Sequence, residues 1–394
     1  MNFIFISPNF PHTYWNFCDR LHKNGVNVLG IGDAQYDDLE EGLKNSLTEY
    51  FKVDSLEDYD QVFRAVAFFS YKYGKIDWVE SLNEYWLEQD ARLRTDFNIN
   101  TGIKSDRIVF IKEKSRMKEL YRKAGIPVAR LSHVTTREAG RDFTEEVGYP
   151  VIVKPDNGVG AASTWKLSTD AELEAFYDNI PKVPYVMEEF IEGDLVSYEA
   201  ILDSDCEPLF ENMTIWPTPV MNIVNDDLDL QYYTCPDIPE DLRKAGRKTA
   251  KAFGVDRRFV HLEFFRLTKT RKSLGKIGDY VGLEVNMRPP GGYTPDMINY
   301  AHSADVYQIY ADMAAFDELR TPECDDKYYC VYAGRKEGHT YTHTHEEIVD
   351  RYGSDIVMQE EMPVVNWPQM GRFMYTARLR TLEDVEEFIR FVQS

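Results

Sequence analysis

The chain has 394 residues, 43% hydrophobic and 13% aromatic, enough apolar material for packed cores and too much length for a single one. A formal net charge of -22 argues against the positive footprint that a nucleic-acid partner requires. No run approaches the roughly 18 uninterrupted apolar residues of a membrane-spanning helix.

The N-terminus, MNFIFISPNFPHTYW, lacks a basic leader segment and reads as a first strand, so secretion is not expected. Cys18, Cys206, Cys235, Cys324 and Cys330 form an odd, scattered set without CxxC, which fits a reducing cytoplasm better than a disulfide framework or a zinc site. Residues 1 to about 110 follow a β-α-β grammar. NFIFIS is a strand, YWNFCDRLHKNG an amphipathic helix ending at Gly25, and VNVLGIGD a second strand. KIDWVESLNEYW then predicts a strand that ends in polar residues, Asn83 and Glu84, where parallel sheets place ligands. No GxGxxG follows the first strand, which makes this unit a poor dinucleotide site.

From about residue 111 the pattern changes. EKSRMKELYRKAGIPV is a helix stopped by Gly125 and Pro127, and Thr135/Glu138 and Thr169/Glu172 have capping-box spacing. YPVIVKPDNGVGAASTWKL predicts two strands around a glycine loop, with Lys154 ending the first strand. Glycines let successive N–H groups turn toward an anion, and Lys154 adds a full charge; a plain glycine-rich hairpin is the competing reading. YVMEEFIEGDLVSYEAILD predicts two strands joined through Gly193. The basic run Lys269, Arg271, Lys272 and Lys276 reads as an exposed hairpin. In the tail, HTYTHTH would set His343 and His345 on one strand face, and TLEDVEEFIRFVQS closes the chain as an amphipathic helix.

The densest chemistry lies in LEVNMRPPGG. Strand alternation puts Glu284, Asn286 and Arg288 on one face and Leu283, Val285 and Met287 on the other. Glu263, in VHLEFFRL, is placed to join them from a neighbouring strand. Mg²⁺ takes hard oxygen ligands, commonly one or two carboxylates completed by phosphate oxygens, and a guanidinium suits a phosphate or carboxylate.

In this order the segments resemble the ATP-grasp superfamily, in particular its biotin carboxylase, carbamoyl phosphate synthetase and amino-acid ligase branches. GLEVNMRPPGG is similar to the family's E-x-N-x-R strand, GYPVIVKPDNGVGA to its strand-lysine-glycine loop, EEFIEGD to its adenine hinge, and EKSRMKELYRKAGIPV to its lysine-led helix. That last match points to Lys114 rather than Lys112. The resemblance implies a Rossmann-like α/β domain over 1–110, an ATP-grasp domain of two α+β halves over 111–320, and a small C-terminal α+β region over 321–394. It further implies ATP and one or two Mg²⁺ ions, for which Mn²⁺ can substitute. Glu263, Glu284 and Asn286 would hold metal. Lys114 and Lys154 would hold phosphates under a lid from Gly158 through Gly160 and Ala161 to Ser163. Glu188, Phe190 and Asp194 would line the nucleotide pocket, with backbone groups of Glu189 and Ile191 meeting the adenine, and Arg288 and Lys154 would act in catalysis. Where many members carry a ribose-binding glutamate this chain has Leu195, with Asp194 or Glu199 as substitutes.

These roles imply an ADP-forming ligase that joins a carboxylate to an amine or thiol through an acylphosphate. An amino acid or small peptide-like acid is the expected substrate. The alternatives are a carboxyphosphate- or carbamate-handling enzyme, which the Pro289–Tyr293 run after Arg288 makes less favourable, and a nucleotide-binding regulatory module without catalysis. The partners expected are small molecules, with no nucleic acid and no membrane; a homodimer is left open.

Overall fold

The computed structural model describes residues 1–158, 163–218, 223, 226–322 and 324–394. Strands β1 (Asn2–Ile6), β2 (Asn27–Gly32), β3 (Glu49–Lys52) and β4 (Trp78–Glu80) form a parallel sheet in the order β3-β2-β1-β4. Both faces are covered, and so β1 is buried throughout and apolar from Phe3 to Ile6. Phe3 and Phe5 pack with the helices Trp15–Lys23 and Val306–Phe316, while Ile4 and Ile6 pack with Tyr59–Tyr73 on the other side.

A small antiparallel sheet contains β5 (Leu131–His133), β6 (Val151–Pro155), β7 (Trp165–Leu167) and β8 (Tyr185–Glu189), in the order β5-β8-β6-β7. The helices Arg137–Val147 and Asp170–Asp178 close its core around Val151, Val153 and Leu173. Thr136, one residue after the predicted Thr135, caps the first helix by accepting from the Ala139 N–H at 3.2 Å. Thr169 caps the second through the Glu172 N–H, as its spacing predicts.

The large sheet has eight strands. β9 (Gly193–Leu202), β10 (Pro208–Trp216), β11 (Gln231–Thr234), β12 (Arg258–Leu267) and β13 (Tyr280–Asn286) are joined by β14 (Tyr329–Arg335), β15 (Ile356–Glu361) and β16 (Phe373–Leu379). The order is β13-β12-β9-β10-β11-β14-β16-β15. The strands of the 321–394 segment therefore extend this sheet rather than building one of their own. One face buries Val196, Tyr198, Leu262 and Val285 against the helices Lys114–Lys123 and Glu240–Phe253.

The N-terminal unit is fastened to the large sheet by buried charge. Glu80, at the end of β4, accepts from both terminal guanidinium nitrogens of Arg258 on β12 and lies 2.8 Å from Arg94. All three side chains are at most 1% exposed. Gly102 (φ +89°) passes so close that a Cβ there would sit 2.5 Å from the Arg258 guanidinium. Among the described residues no helix is long and apolar enough to cross a membrane.

Candidate functional site

Register puts the expected acids side by side. On β12 and β13, Glu263 faces Glu284 and His261 faces Asn286; on the other side of β12, Ser197 and Glu199 of β9 complete the same rows. A bulge at Leu283 shifts the β12–β13 pairing just before Glu284, and Val285 and Met287 are buried behind it as alternation requires. Asn286 Nδ2 donates to Glu263 Oε1 at 3.2 Å, and Arg288 donates to Asn286 Oδ1 at 3.2 Å. Arg288 Nε also lies 3.3 Å from Glu84 Oε2, which belongs to the polar stretch after β4. Lys112 holds the other oxygen of Glu84 at 2.8 Å.

The opposing wall is cationic. Lys114 begins the helix Lys114–Lys123; its ammonium donates to the Gly158 carbonyl at 3.2 Å and lies 3.5 Å from Glu284. Asp156 stitches this helix to the glycine loop by accepting from the Ser115 N–H at 2.8 Å and the Ser115 hydroxyl at 2.7 Å, which satisfies donors at the helix N-terminus. Lys154 on β6 is 3.0 Å from Glu188 Oε2, and Lys118 is 3.1 Å from Glu188 Oε1. Two buried ammonium groups thus share one carboxylate.

These contacts set the protonation balance. Burial would raise the Glu188 carboxyl, but Lys118 and Lys154 outweigh it and hold its pKa down at about 2. Burial lowers Lys118 despite the attraction of Glu188, whereas Lys154 is raised against burial by Glu188 and Glu284. Glu284 is pushed up by burial, with Glu263 and Glu84 adding repulsion against the pull of Lys114 and Lys154. Glu263 is lowered against burial by His261, Arg288 and Lys154. His261, flanked by Glu199 and Glu263, is raised against burial to about 9.

Among the described residues, no group of three or more His, Cys, Asp and Glu side chains stands ready as a metal site. The donor set is two carboxylates and an amide, which suits an ion completed by phosphate oxygens and water. The repulsion felt by Glu284 is what a bound cation would relieve.

The side chains of the remaining expected residues make other contacts. Glu189 turns away from Glu188: its carboxylate accepts from Arg130 at 2.8, 2.9 and 3.2 Å, and its N–H donates to the Arg130 carbonyl. Arg271, from the basic hairpin, approaches the same carboxylate at 3.6 Å. The Phe190 ring lies 4.4 Å from the Lys166 ammonium, and Ile191 packs with Leu267 and Val281. The Ser163 carbonyl accepts from Tyr185 at 3.2 Å. Asp194 does not reach the cleft. It alternates with Leu195 and so shares the face of Val196 and Tyr198, opposite to Ser197 and Glu199. Nor does Glu199 stand in for a ribose ligand, because it is fully buried and both its oxygens are engaged by protein groups. Gly160 and Ala161 lie outside the described residues. His343 and His345 share no strand: His343 stacks on Phe391 at 3.7 Å, and His345 starts a helix and bonds Tyr375.

The reading from sequence missed Lys118. Its signal was present, since Lys114, Met117, Lys118 and Tyr121 have the i, i+3, i+4, i+7 spacing of one helix face. A lysine inside that otherwise inward stripe must find a buried partner. Trp216 stacks on Tyr232 at 4.3 Å and donates to Ser197 Oγ at 3.1 Å, at the edge of the same floor.

Residues 111–246 match the family model described as the ATP-grasp domain. The carbamoyl phosphate synthase large chain of Agathobacter rectalis is 27% identical over 106 residues, covering 26% of this chain and 10% of that one. The alanine–anticapsin ligase of Bacillus subtilis is 24% identical over 192 residues, 41% of this chain and 39% of the relative. The alignments thus span well under two thirds of these relatives. The crystal structure of an L-amino acid ligase from Bacillus licheniformis superposes with a TM-score of 0.70 at 14% identity, covering 99% of this chain and 96% of that one.

Proposed function

For a chain that carries an ATP-grasp domain, we propose an ATP-dependent, ADP-forming ligase that joins a small carboxylate to an amine or thiol through an acylphosphate. The observation that carries this reading is the apposition of a polar, acid-bearing floor (Glu263, Glu284, Asn286) and a cationic wall (Lys114, Lys154), with the Lys114 ammonium 3.5 Å from Glu284. Such an arrangement suits a triphosphate and its counter-ion.

In the proposed reaction a substrate carboxylate oxygen attacks the γ-phosphorus, the bond to the β–γ bridging oxygen breaks, and ADP leaves. The amine nitrogen then attacks the acyl carbon, loses a proton, and inorganic phosphate departs. No protein nucleophile is required; positioning and charge neutralisation suffice. Lys154 and Lys114 would neutralise phosphate oxygens, Lys114 by exchanging its present contacts with Glu284 and the Gly158 carbonyl for them. Arg288, braced between Asn286 and Glu84, would present its planar fork to the transferred phosphoryl group. Glu263, Glu284 and Asn286 would hold Mg²⁺, which when bound supplies further neutralisation of the phosphates. The stretch from Gly158 to Ser163 would exclude water from the acylphosphate.

An amino acid or small peptide-like acid is the proposed carboxylate, a choice supported by the amino-acid ligases among the relatives. The carbamoyl phosphate synthase matches favour carboxyphosphate chemistry as the second reading. In functional terms we divide the chain at 1–110, 111–320 and 321–394, with the last segment buttressing the sheet that bears the acids. The test is a screen of amino-acid pairs with ATP and Mg²⁺ for phosphate release, with products read by mass spectrometry and ³¹P NMR. ADP and phosphate forming in step with a condensed product is the expected result; AMP and pyrophosphate would overturn the acylphosphate mechanism.

A further inference from the structure

The floor of the cleft carries a buried polar row that the proposed chemistry leaves unused. His302 Nε2 lies 2.8 Å from Asn212 Oδ1, and Asn212 Nδ2 donates to Glu199 Oε2 at 2.7 Å. Thr214 donates to the same oxygen at 3.2 Å. Glu199 Oε1 is 2.8 Å from His261 Nδ1, and His261 Nε2 is 3.4 Å from Glu263 Oε1. Asn212, Glu199, His261 and Asn286 are consecutive cross-strand neighbours, so the row runs straight across β10, β9, β12 and β13. Asn212, Thr214 and Glu199 are completely buried.

A fully buried carboxylate is costly, and replacing buried ionic groups by well-packed apolar side chains is often neutral or stabilising. What the row achieves is orientation. The imidazole bridges Glu199 and Glu263, and Asn286 Nδ2 donates to the same Glu263 oxygen that His261 faces. Oε1 of Glu263 is therefore pinned from two sides, and among the described residues Oε2 makes no hydrogen bond. We propose that Glu199 and His261 are positioning residues that hold Glu263 with one oxygen fixed and the other free to bind a divalent cation. This rests on the metal role given to Glu263 above. Outer partners of metal ligands typically change metal affinity by about 10- to 100-fold when removed.

The test compares wild type, Glu199→Gln, His261→Asn and Glu263→Gln in full-length protein. Binding of Mn²⁺ in the presence of ADP is followed by electron paramagnetic resonance, and binding of metal-free ADP by calorimetry. Gln at 199 keeps the shape but loses the charge facing His261; Asn at 261 can span only one of its two contacts. Both variants should bind Mn²⁺ about 10- to 100-fold more weakly, with metal-free ADP affinity within about twofold of wild type. Unchanged Mn²⁺ affinity in Glu199→Gln and His261→Asn would overturn the proposal, even alongside a lowered melting temperature, since a merely structural row would give that pattern. Equal weakening of ADP with and without metal would overturn it too. If Glu263→Gln itself binds Mn²⁺ like wild type, the metal role of Glu263 fails first and the positioning role falls with it, a signature distinct from a failure at Glu199 and His261 alone.

Discussion

Replacing Glu188 by Gln should destabilise the protein far more than removing either of its lysine partners. The amide keeps the shape of the side chain but leaves Lys118 and Lys154 buried around a neutral group. The carboxyl is lowered from 4.5 to about 2 in a fully buried setting, a difference worth about 3 kcal/mol in favour of the folded state. Breaking buried ion pairs by removing one partner costs a similar amount, about 3–5 kcal/mol. For a chain of this size, thermal unfolding followed by circular dichroism at pH 7 should show a drop of roughly 4–6 °C. Lys118→Met should cost less than about 1.5 kcal/mol, because Glu188 keeps Lys154 and the thioether fills the volume. The pH dependence has a definite sign. Since the folded pKa is depressed, the stabilisation is complete above the unfolded value of 4.5 and is lost as pH falls toward about 2. The gap between wild type and Glu188→Gln should therefore shrink by about 0.8 kcal/mol between pH 7 and pH 4. A gap below about 1 kcal/mol at pH 7, or one that widens on acidification, would refute the two-lysine account.

Lys154→Ala should weaken Mg–ATP binding by at least about tenfold while barely affecting adenosine, because a charge-assisted contact is worth about 1.5–3 kcal/mol; equal weakening of both ligands in calorimetry would assign the lysine to the fold. Glu284→Gln should melt at the same or a higher temperature, since the folded state disfavours its ionised form, yet should lose the Mg²⁺ dependence of ATP binding and about 10²–10³ in turnover. An unaltered Mg²⁺ dependence would remove Glu284 from the ligand set. Glu80→Gln should lower the urea midpoint by the equivalent of about 3–5 kcal/mol, because Arg94 and Arg258 are then both left buried around a neutral group; a change below about 1 kcal/mol would show that the N-terminal unit is held by apolar packing instead.

Local periodicity carried much of this site. Alternation in LEVNMR and a lysine closing an apolar strand are short-range signals, and the parallel N-terminal strands announce themselves as apolar runs. What escaped depends on register between distant strands. Nothing in the sequence says that His261 stands opposite Glu199, 62 residues away, or that Arg288 reaches back to Glu84. Asp194 shows the opposite failure. Adjacency to the hinge suggested a cleft residue, whereas the phase of β9, set by Leu195 and Ser197, turned it to the other face. The imidazole pair of the tail misled for a similar reason, because Thr344 caps a helix where strand alternation was expected.

The order of strands in the large sheet has a consequence for the chain as it emerges during synthesis. β9, β12 and β13 are all available once residue 286 has been made, so the acidic floor can assemble early. β11 ends at residue 234, but its outer neighbour β14 does not begin until residue 329. Until then β11 presents an open row of amide and carbonyl groups, rich in tyrosine, that invites pairing with another chain. The segment from residue 329 onward thus acts on the nascent molecule as an edge guard, and a ribosome that stalls between these strands would release a form prone to aggregate.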